Sequence, residues 1–350
     1  MSETTEVRDY ITDFLNLKDV FVSKVVHSDS KVSFYIETNP STHTCPRCGS
    51  QTSKIHDYRN QTIKDLPFQF KQCFLILRKR RYACSCGKRF LENYSFLPRY
   101  HQHTSRLSEY ILHKLRDCCS LKSIAEDVNL STPTIQRILN MVSFSKPSLP
   151  KALSIDEFKG DTNGEKHQCI LVDPSRRNVL DILPDRKWAS LSGYFRSFPK
   201  QERYQVPFFS CDMWNPYADL TKTYFPNAKI IIDKYHFIRQ VTWAIEKVRK
   251  RLQKTMPTSL RKYYKRSRSL MLKHYHSLSP SQKETCDLIF VTCANTYRNW
   301  KPEILNAFKY HWITNGPTEG FNNKIKVLKR VSYGLKDFKR FRSRILLVTN

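Results

Sequence analysis

The sequence predicts an α/β domain preceded by two smaller modules, one built around cysteines and one all-helical. Three observations lead there. Two close pairs of cysteines bracket a strand-like stretch within 41–100. Apolar residues recur at helical spacing on both sides of a short turn within 104–142. From 151 to 350, short apolar runs that read as strands are interleaved with helical stretches. An N-terminal segment, 1–40, stands before these modules. A connector at 143–150, with two prolines and three serines, closes the helical one.

The chain of 350 residues is 40% hydrophobic and 13% aromatic, enough for two to three domains with real cores and unlike a disordered composition. Its net charge of +29 points to a polyanionic partner, nucleic acid before an anionic membrane surface. The charge is uneven: −3 over 1–40, +11 over 41–150, +1 over 151–233 and +20 over 234–350. Two polyanion-contacting regions therefore flank a near-neutral centre that is richest in acids. The longest apolar stretches, such as 74–77 and 345–348, are far below the ~20 residues of a membrane span. Glu3, Glu6, Arg8 and Asp9 do not make a signal-peptide pattern. Eleven cysteines in such a chain are expected in a reducing compartment, where close pairs more often bind metal than form disulfides.

In the first module, Cys45 and Cys48 form a Cys-x-x-Cys pair, and Gly49 suits the tight turn that aims backbone N–H groups at the thiolates. Cys84 and Cys86, followed by Gly87, make a second pair with 35 residues between the two. Four thiolates satisfy tetrahedral Zn²⁺. Residues 70–82 between them read as a strand, so the pattern describes a zinc-ribbon-like module. His56, His101 and His103 are substitute ligands of second choice, and the remaining cysteines read as core residues. The basic run Arg78, Lys79, Arg80 and Arg81 lies inside this module and is expected to contact phosphate. Four ordinary buried cysteines are the plainer alternative.

In the second module, Leu107, Ile111 and Leu115 recur on one face of a helix. Leu121, Ile124, Ala125 and Val128 make a short second helix, Asn129 and Leu130 a turn, and Ile135, Ile138 and Leu139 the core face of a third. Ser131 or Thr132 is expected to cap that third helix, with Pro133 in its first turn. Small Ala125 allows the close approach of a helix-turn-helix. Thr132, Thr134, Gln136 and Arg137 then face outward, where their side chains reach base edges or phosphates in a major groove. An ordinary helical hairpin is the plainer reading, and the basic flanks favour DNA.

In the third region the order is three strands, helix, strand, helix, strand, helix. A mixed sheet covered by helices on both faces follows, the ribonuclease-H-like arrangement. Asp156 stands on the first strand, Asp212 directly after the fourth and Asp233 after the fifth. Glu319 falls in the first turn of a later helix, with Thr318 as its expected cap and Asn322 and Asn323 beyond. Phosphodiester cleavage by two Mg²⁺ ions (or Mn²⁺) needs rigidly held carboxylates, and Asp156, Asp212 and Glu319 would supply them. Asp233 with His236 is a rival pair for a ligand or base. A strand-end Asp taken alone is more often a cap or surface residue. Lysines and arginines over 247–273 and 322–344, Lys324 and Lys326 among them, are expected to neutralise phosphates without reading sequence.

At these residues the sequence resembles the bacterial DDE transposases of the insertion-sequence L-three group. The matching pieces are the Cys45–Cys48 pair, the helix-turn-helix around 120–140 and the Ser-Ile-Asp-Glu-Phe run at 154–158. They continue with Cys-Asp-Met-Trp-Asn-Pro-Tyr at 211–217, Phe-Pro-Asn-Ala at 225–228 and Ile-Asp-Lys-Tyr-His at 232–236. The most specific is Asn-Gly-Pro-Thr-Glu-Gly-Phe-Asn-Asn-Lys-Ile-Lys at 315–326. The resemblance implies a catalytic triad of Asp156, Asp212 and Glu319 acting with two metal ions, and structural zinc on Cys45, Cys48, Cys84 and Cys86. It further implies recognition of terminal inverted repeats by the helix-turn-helix, double-stranded DNA as both transposon end and target, and at least a homodimer when two ends are joined. The expected setting is the bacterial cytoplasm at the nucleoid, without a membrane. One departure stands out. Asp212 and Glu319 are only 107 positions apart, so the helical insertion expected at about 240–310 looks shortened, which would leave an impaired or inactive enzyme. A non-catalytic DNA-binding regulator that uses only 41–142 is the main alternative. A ribonuclease-H-like nuclease acting on RNA or junctions is the third.

Overall fold

The computed structural model describes residues 15–160, 162–234, 237–239, 242, 243, 246, 250, 254, 275–280, 283, 300–332 and 335–350. The chain divides into two units, residues 1–144 with 330–334 and residues 145–329 with 335–350. Most of the expected insertion, most of the basic stretch 247–273, and His236 lie outside the described residues.

The first unit is built on a five-stranded sheet. Strands β1 (Val20–His27) and β2 (Lys31–Thr38) form a hairpin, followed by the short ribbon β3 (His43–Thr44) and β4 (Gln51–Thr52). The long strands β5 (Ile55–Phe68) and β6 (Lys71–Ala83) form a second hairpin, and β7 (Arg89–Leu91) pairs with the end of β6. The sheet order is β1-β2-β6-β5, with β2 and β6 parallel. Alternation explains the pairing: Val32, Phe34 and Ile36 of β2 and Cys73, Leu75 and Leu77 of β6 all point into one core with Ile63. Residues 20–38, ahead of the boundary expected at residue 41, supply two strands of the same sheet as β5 and β6. A close cysteine pair marks where a metal knuckle starts, not where a sheet starts.

Among the described residues of this unit, the sheet is joined by α1 (Ser105–Lys114), α2 (Leu121–Asp127) and α3 (Thr132–Asn140). Thr104 accepts the Leu107 N–H at 3.3 Å and Ser120 the Ser123 N–H at 3.0 Å, so each opens its helix as an N-cap. Asn129 takes a left-handed φ of 52°, which lets the chain reverse between α2 and α3. Ser131 occupies the N-cap of α3 but makes no cap bond to the backbone; its hydroxyl pairs with that of Thr134 at 2.9 Å. Buried Asp65 of β5 joins the helices to the sheet, accepting from Thr104 Oγ1 at 2.7 Å and from Arg106 Nε at 2.8 Å.

The second unit carries a five-stranded mixed sheet. Its strands are β8 (Ala152–Lys159), β9 (His167–Asp173), β10 (Asn178–Leu183), β11 (Phe208–Cys211) and β12 (Lys229–Ile232), in the order β10-β9-β8-β11-β12. The first three are antiparallel, while β11 runs parallel to both β8 and β12. Helix α4 (Trp188–Arg196) and the short α5 (Lys200–Tyr204) precede β11, and α6 (Asn215–Tyr224) precedes β12. Leu191 and Phe195 of α4 and Tyr217, Leu220 and Tyr224 of α6 pack on Leu153 and Ile155 of β8, forming the larger core. Alternate residues face the other way: Ala152 of β8 and Ile231 of β12 meet Ala307, Tyr310 and Ile313. Ala307 belongs to α7 (Lys301–Lys309), which α8 (Gly316–Val331) and α9 (Phe338–Thr349) follow. This is the mixed sheet with helices on both faces that the sequence predicts.

Candidate metal centre and active-site cleft

In the first unit the ribbon β3–β4 holds one cysteine knuckle, and the turn between β6 and β7 holds the other. Gly49 and Gly87 adopt φ values of +74° and +83°, which non-glycine residues rarely adopt, so each knuckle can close. The Gly49 N–H donates to the Cys45 carbonyl and the Gly87 N–H to the Cys84 carbonyl, both at 3.0 Å. The four sulfurs lie within 4.8 Å of one another. Cys45 and Cys86 are 3.7 Å apart and Cys48 and Cys84 3.5 Å apart, close to the edge of about 3.8 Å that a tetrahedron with 2.3 Å Zn–S bonds requires. The Ser50 hydroxyl and backbone N–H, with help from Cys84 and Cys86, lower the Cys48 thiol to about 6. Cys86, despite a backbone N–H from Lys88, is pushed up to about 11 by burial and the neighbouring sulfurs. The closely spaced Cys84 and Cys86 are both members of the cluster, so the geometry fits zinc without a histidine.

The basic run beside this centre departs from the expected phosphate-facing surface at Arg80. Arg80 is only 3% exposed; it donates to Thr38 Oγ1 at 2.8 Å and to Glu92 Oε2 at 3.3 Å, and it also binds the Thr38 carbonyl. It is a buried structural cation and does not reach a phosphate. The reason lies in β6, where buried positions change from odd (Cys73, Leu75, Leu77) to even (Arg80, Tyr82). Arg81 is held by Asp57 at 2.5 Å, Lys79 by Gln61 at 3.0 Å, and Arg78 lies over the Tyr58 ring and faces Glu37 at 3.3 Å. On α3, Arg137 is exposed and Thr132, Thr134 and Gln136 are half-buried.

In the second unit the acids converge on one cleft of about 920 Å³. Asp156, Asp212, Asp233 and Glu319 all line it, with Asn322, Lys326 and Lys329. The placement starts from strand parity. Ser154 and Asp156 share the face of β8 over which α8 lies. The Ser154 hydroxyl donates to Asn315 Oδ1 at 2.6 Å and accepts from Thr318 Oγ1 at 3.0 Å. All three residues are buried, so the start of α8 is bonded to β8 in a sheltered polar network. Thr318 is therefore an anchor within the helix, which begins at Gly316, and not the cap expected. One turn after Glu319, Asn322 Nδ2 donates to Asp156 Oδ2 at 2.8 Å, while the Glu157 N–H donates to Asp156 Oδ1 at 2.7 Å. Asp212 follows β11, the parallel neighbour of β8, and Asp233 follows β12.

The donor set of this cleft is oxygen-rich and hard, which suits Mg²⁺ or Mn²⁺ rather than zinc. Glu319 is exposed, and among the described residues no set of three carboxylates closes to the spacing of the four sulfurs. Asn322 Oδ1 is buried without a hydrogen-bond partner among the described residues, a further oxygen beside Asp156. Sequence reasoning covered Lys329 only within the basic stretch 322–344 and missed Glu157, Arg186 and His167, which also line the cleft. Lys329 was within reach, since 319, 322, 326 and 329 form one helical stripe. Arg186 was not: it arrives from a loop and donates to Glu157 Oε2 at 2.7 Å, and that carboxylate also accepts from Tyr217 OH at 3.1 Å. Lys324 is turned elsewhere, donating to the Val348 carbonyl at 2.5 Å.

Three family profiles match this chain. A zinc finger of transposases IS204, IS1001, IS1096 and IS1165 matches residues 41–86, and the helix-turn-helix domain of transposase family ISL3 matches 92–143. The ISL3 transposase domain matches 153–292 and 288–345, more than half of the chain. The chain belongs to the ISL3 transposase family. This ISL3-family chain is 24% identical to the transposase for insertion sequence element IS1001 of Bordetella parapertussis, over 89% of each chain. A shorter similarity, 41% identity over 58 residues and 17% of this chain, is to an ATP-dependent protease of Lactococcus lactis subsp. lactis. The ribbon match and the four-sulfur cluster together support structural zinc in this family member. Among its described residues, no helix is long and apolar enough to cross a membrane.

Proposed function

We propose that this chain is a DDE transposase that binds the terminal inverted repeats of an insertion sequence and cuts and joins DNA strands in the cleft of its second unit. The observation that carries the reading is the docking of α8 on β8. The Ser154–Asn315–Thr318 network and the Asn322–Asp156 bond bring Glu319 into the cleft that Asp156 and Asp212 enter from adjacent parallel strands. The sheet order β10-β9-β8-β11-β12, three antiparallel strands followed by two parallel ones, supports a ribonuclease-H-like core.

In this reading Asp156 and Asp212 would hold the metal ions and Glu319 would complete the second position. Bound there, two divalent cations would polarise the scissile phosphate and activate water or a 3′-hydroxyl for in-line attack. Asn322 orients Asp156 through its 2.8 Å bond to Oδ2. Lys326 and Lys329, on the same helical stripe as Glu319, would hold the DNA backbone beside the acids. Asp233 shares the cleft and is a reserve ligand. The zinc ribbon and α3 would grip the element end, with Thr132, Thr134, Gln136 and Arg137 as its readers. Two ends joined in one reaction require at least two copies, working at the bacterial nucleoid.

The test is strand cleavage of DNA carrying the flanking inverted repeats, with Mg²⁺ and an Asp212→Ala control. Cleavage by the native chain and none by the variant supports the reading; equal products from both sink it. A second reading is an internally shortened, impaired enzyme. It is favoured by the two-piece match of the transposase domain and by an alignment to the IS1001 transposase that runs over 367 positions, more than the 350 of this chain. End binding with no cleavage at any Mg²⁺ concentration would select it.

A further inference from the structure

A second cleft, of about 500 Å³, lies within the first unit, between α3 and the loop that connects β7 to α1. Thr134 and Arg137 of α3, with its caps Ser131 and Met141, form one wall, spaced so that they share a helix face. The loop supplies Tyr100, His101, Gln102 and His103, and β5 supplies Lys64. No carboxylate lines this cleft, whereas Lys64, Arg137 and the two imidazoles are cationic or can become so.

The loop is built to present these groups. Its tip, Tyr100, is 98% exposed and sits at a left-handed φ of +64°, which a bulky side chain rarely adopts. The loop is not loose: the Lys64 N–H donates to the Gln102 carbonyl at 2.9 Å and Gln61 Nε2 to the His101 carbonyl at 3.0 Å. The His101 and His103 rings stack at 5.0 Å. His103 is 9% exposed, and the buried atoms His103 Nε2 and His101 Nδ1 have no hydrogen-bond partner among the described residues. Buried polar atoms are nearly always satisfied, so two such atoms in one cationic cleft call for a ligand that accepts hydrogen bonds.

We propose that this cleft binds a backbone phosphate of duplex DNA, so that the loop at Tyr100–His103 is a second DNA-contacting element beside α3. The proposal rests on the reading of α3 as a DNA-contacting helix, because Thr134 and Arg137 belong both to that helix and to this cleft. A phosphate here accepts from Arg137 and the imidazoles, while Tyr100 packs on the adjoining sugar. The groups that face the histidines are Lys64 from β5, Arg137 from α3 and each other. Burial first, then the positive fields of His101, Arg137 and Lys64, hold His103 below its ordinary range. A bound phosphate reverses that field and favours the protonated ring, so binding strengthens as pH falls through the histidine range.

The experiment uses the full chain, a mixed-sequence DNA duplex and, separately, inorganic phosphate. Duplex affinity is read by fluorescence anisotropy across salt and pH, and histidine ring nitrogens by NMR. The expected result is a tightening of about tenfold from pH 8 to pH 6. Tyr100→Ala and His101→Gln, both at accessible loop positions, should each weaken duplex binding by about fivefold. His101→Gln should also lower the slope of log affinity against log salt by about one and, by removing a positive field from His103, move the pH effect to higher pH. Ring resonances of His101 and His103 should move with either probe. Native binding with unchanged affinity, slope and pH profile in both variants overturns the cleft and leaves the α3 reading standing. Failure of the native chain to bind duplex at all overturns both. Ring shifts with inorganic phosphate but no effect of either variant on duplex binding overturns the DNA assignment.

Discussion

The two candidate metal centres of this chain are assembled in opposite ways. The four sulfurs of the first unit lie within 4.8 Å of one another, placed by two knuckles whose geometry is set by local backbone and by Gly49 and Gly87. The acids of the second unit line a cleft of about 920 Å³, and they reach it from two strand ends and the first turn of a helix. A closed, preformed thiolate set suits an ion that holds structure; an open, oxygen-lined cleft leaves room for substrate. The thiolate site depends on short-range turns. The acidic site depends on how one helix is docked, through Ser154 and Asp156.

Breaking the thiolate site should have the larger effect. Apparent zinc free energies of about 10 kcal/mol or more are common for structural sites. Cys84→Ser should remove bound zinc, read by metal analysis, and loosen the β3–β4 ribbon, read by hydrogen exchange, with cleft activity tested separately. Retention of zinc in that variant would reduce the cluster to three ligands. In the cleft, Asp156→Asn should lower strand cleavage by about a thousandfold or more, near 4 kcal/mol of barrier, while end binding by gel shift stays intact. Loss of both together would make Asp156 structural.

Smaller changes separate holding an acid from being one. Asn322→Leu removes the bond to Asp156 while filling similar space, and should cost about 10- to 100-fold in cleavage with unchanged thermal stability. An effect on melting as large as that on rate would mean that Asn322 only packs. Ser154→Ala leaves Asn315 and Thr318 without their shared partner and should cost about 1–3 kcal/mol in denaturant stability, with a matching loss of cleavage. A variant with normal stability and normal cleavage would show that the network does not place α8.

Much of this was legible because it is local. The Cys-x-x-Cys and Cys-x-Cys pairs with their trailing glycines, the Asn129 turn before α3, and the succession of strands and helices along the second unit each follow from a few neighbouring residues. The same local reading erred at Arg80, where a basic run looked like a surface but the buried parity of β6 changes after Leu77. Nothing within 20–38 reveals that β2 will pair in parallel with β6. Lys324 and Lys326 look alike in sequence, yet only Lys326 enters the cleft.

The sequence by itself determined the residue types and their local geometry: thiolates in knuckles, an acid at the end of each of two strands, and a helix that opens with Glu319 in its first turn. Periodicity and turn chemistry act over a few residues, so they can be read along the chain. Only the tertiary structure decided which groups meet. Asn322 holds Asp156 across 166 positions and Ser154 holds Asn315 across 161. Such pairs depend on the parity of a buried strand and the rotation of a docked helix, which are set by core packing and not by any pattern along the chain.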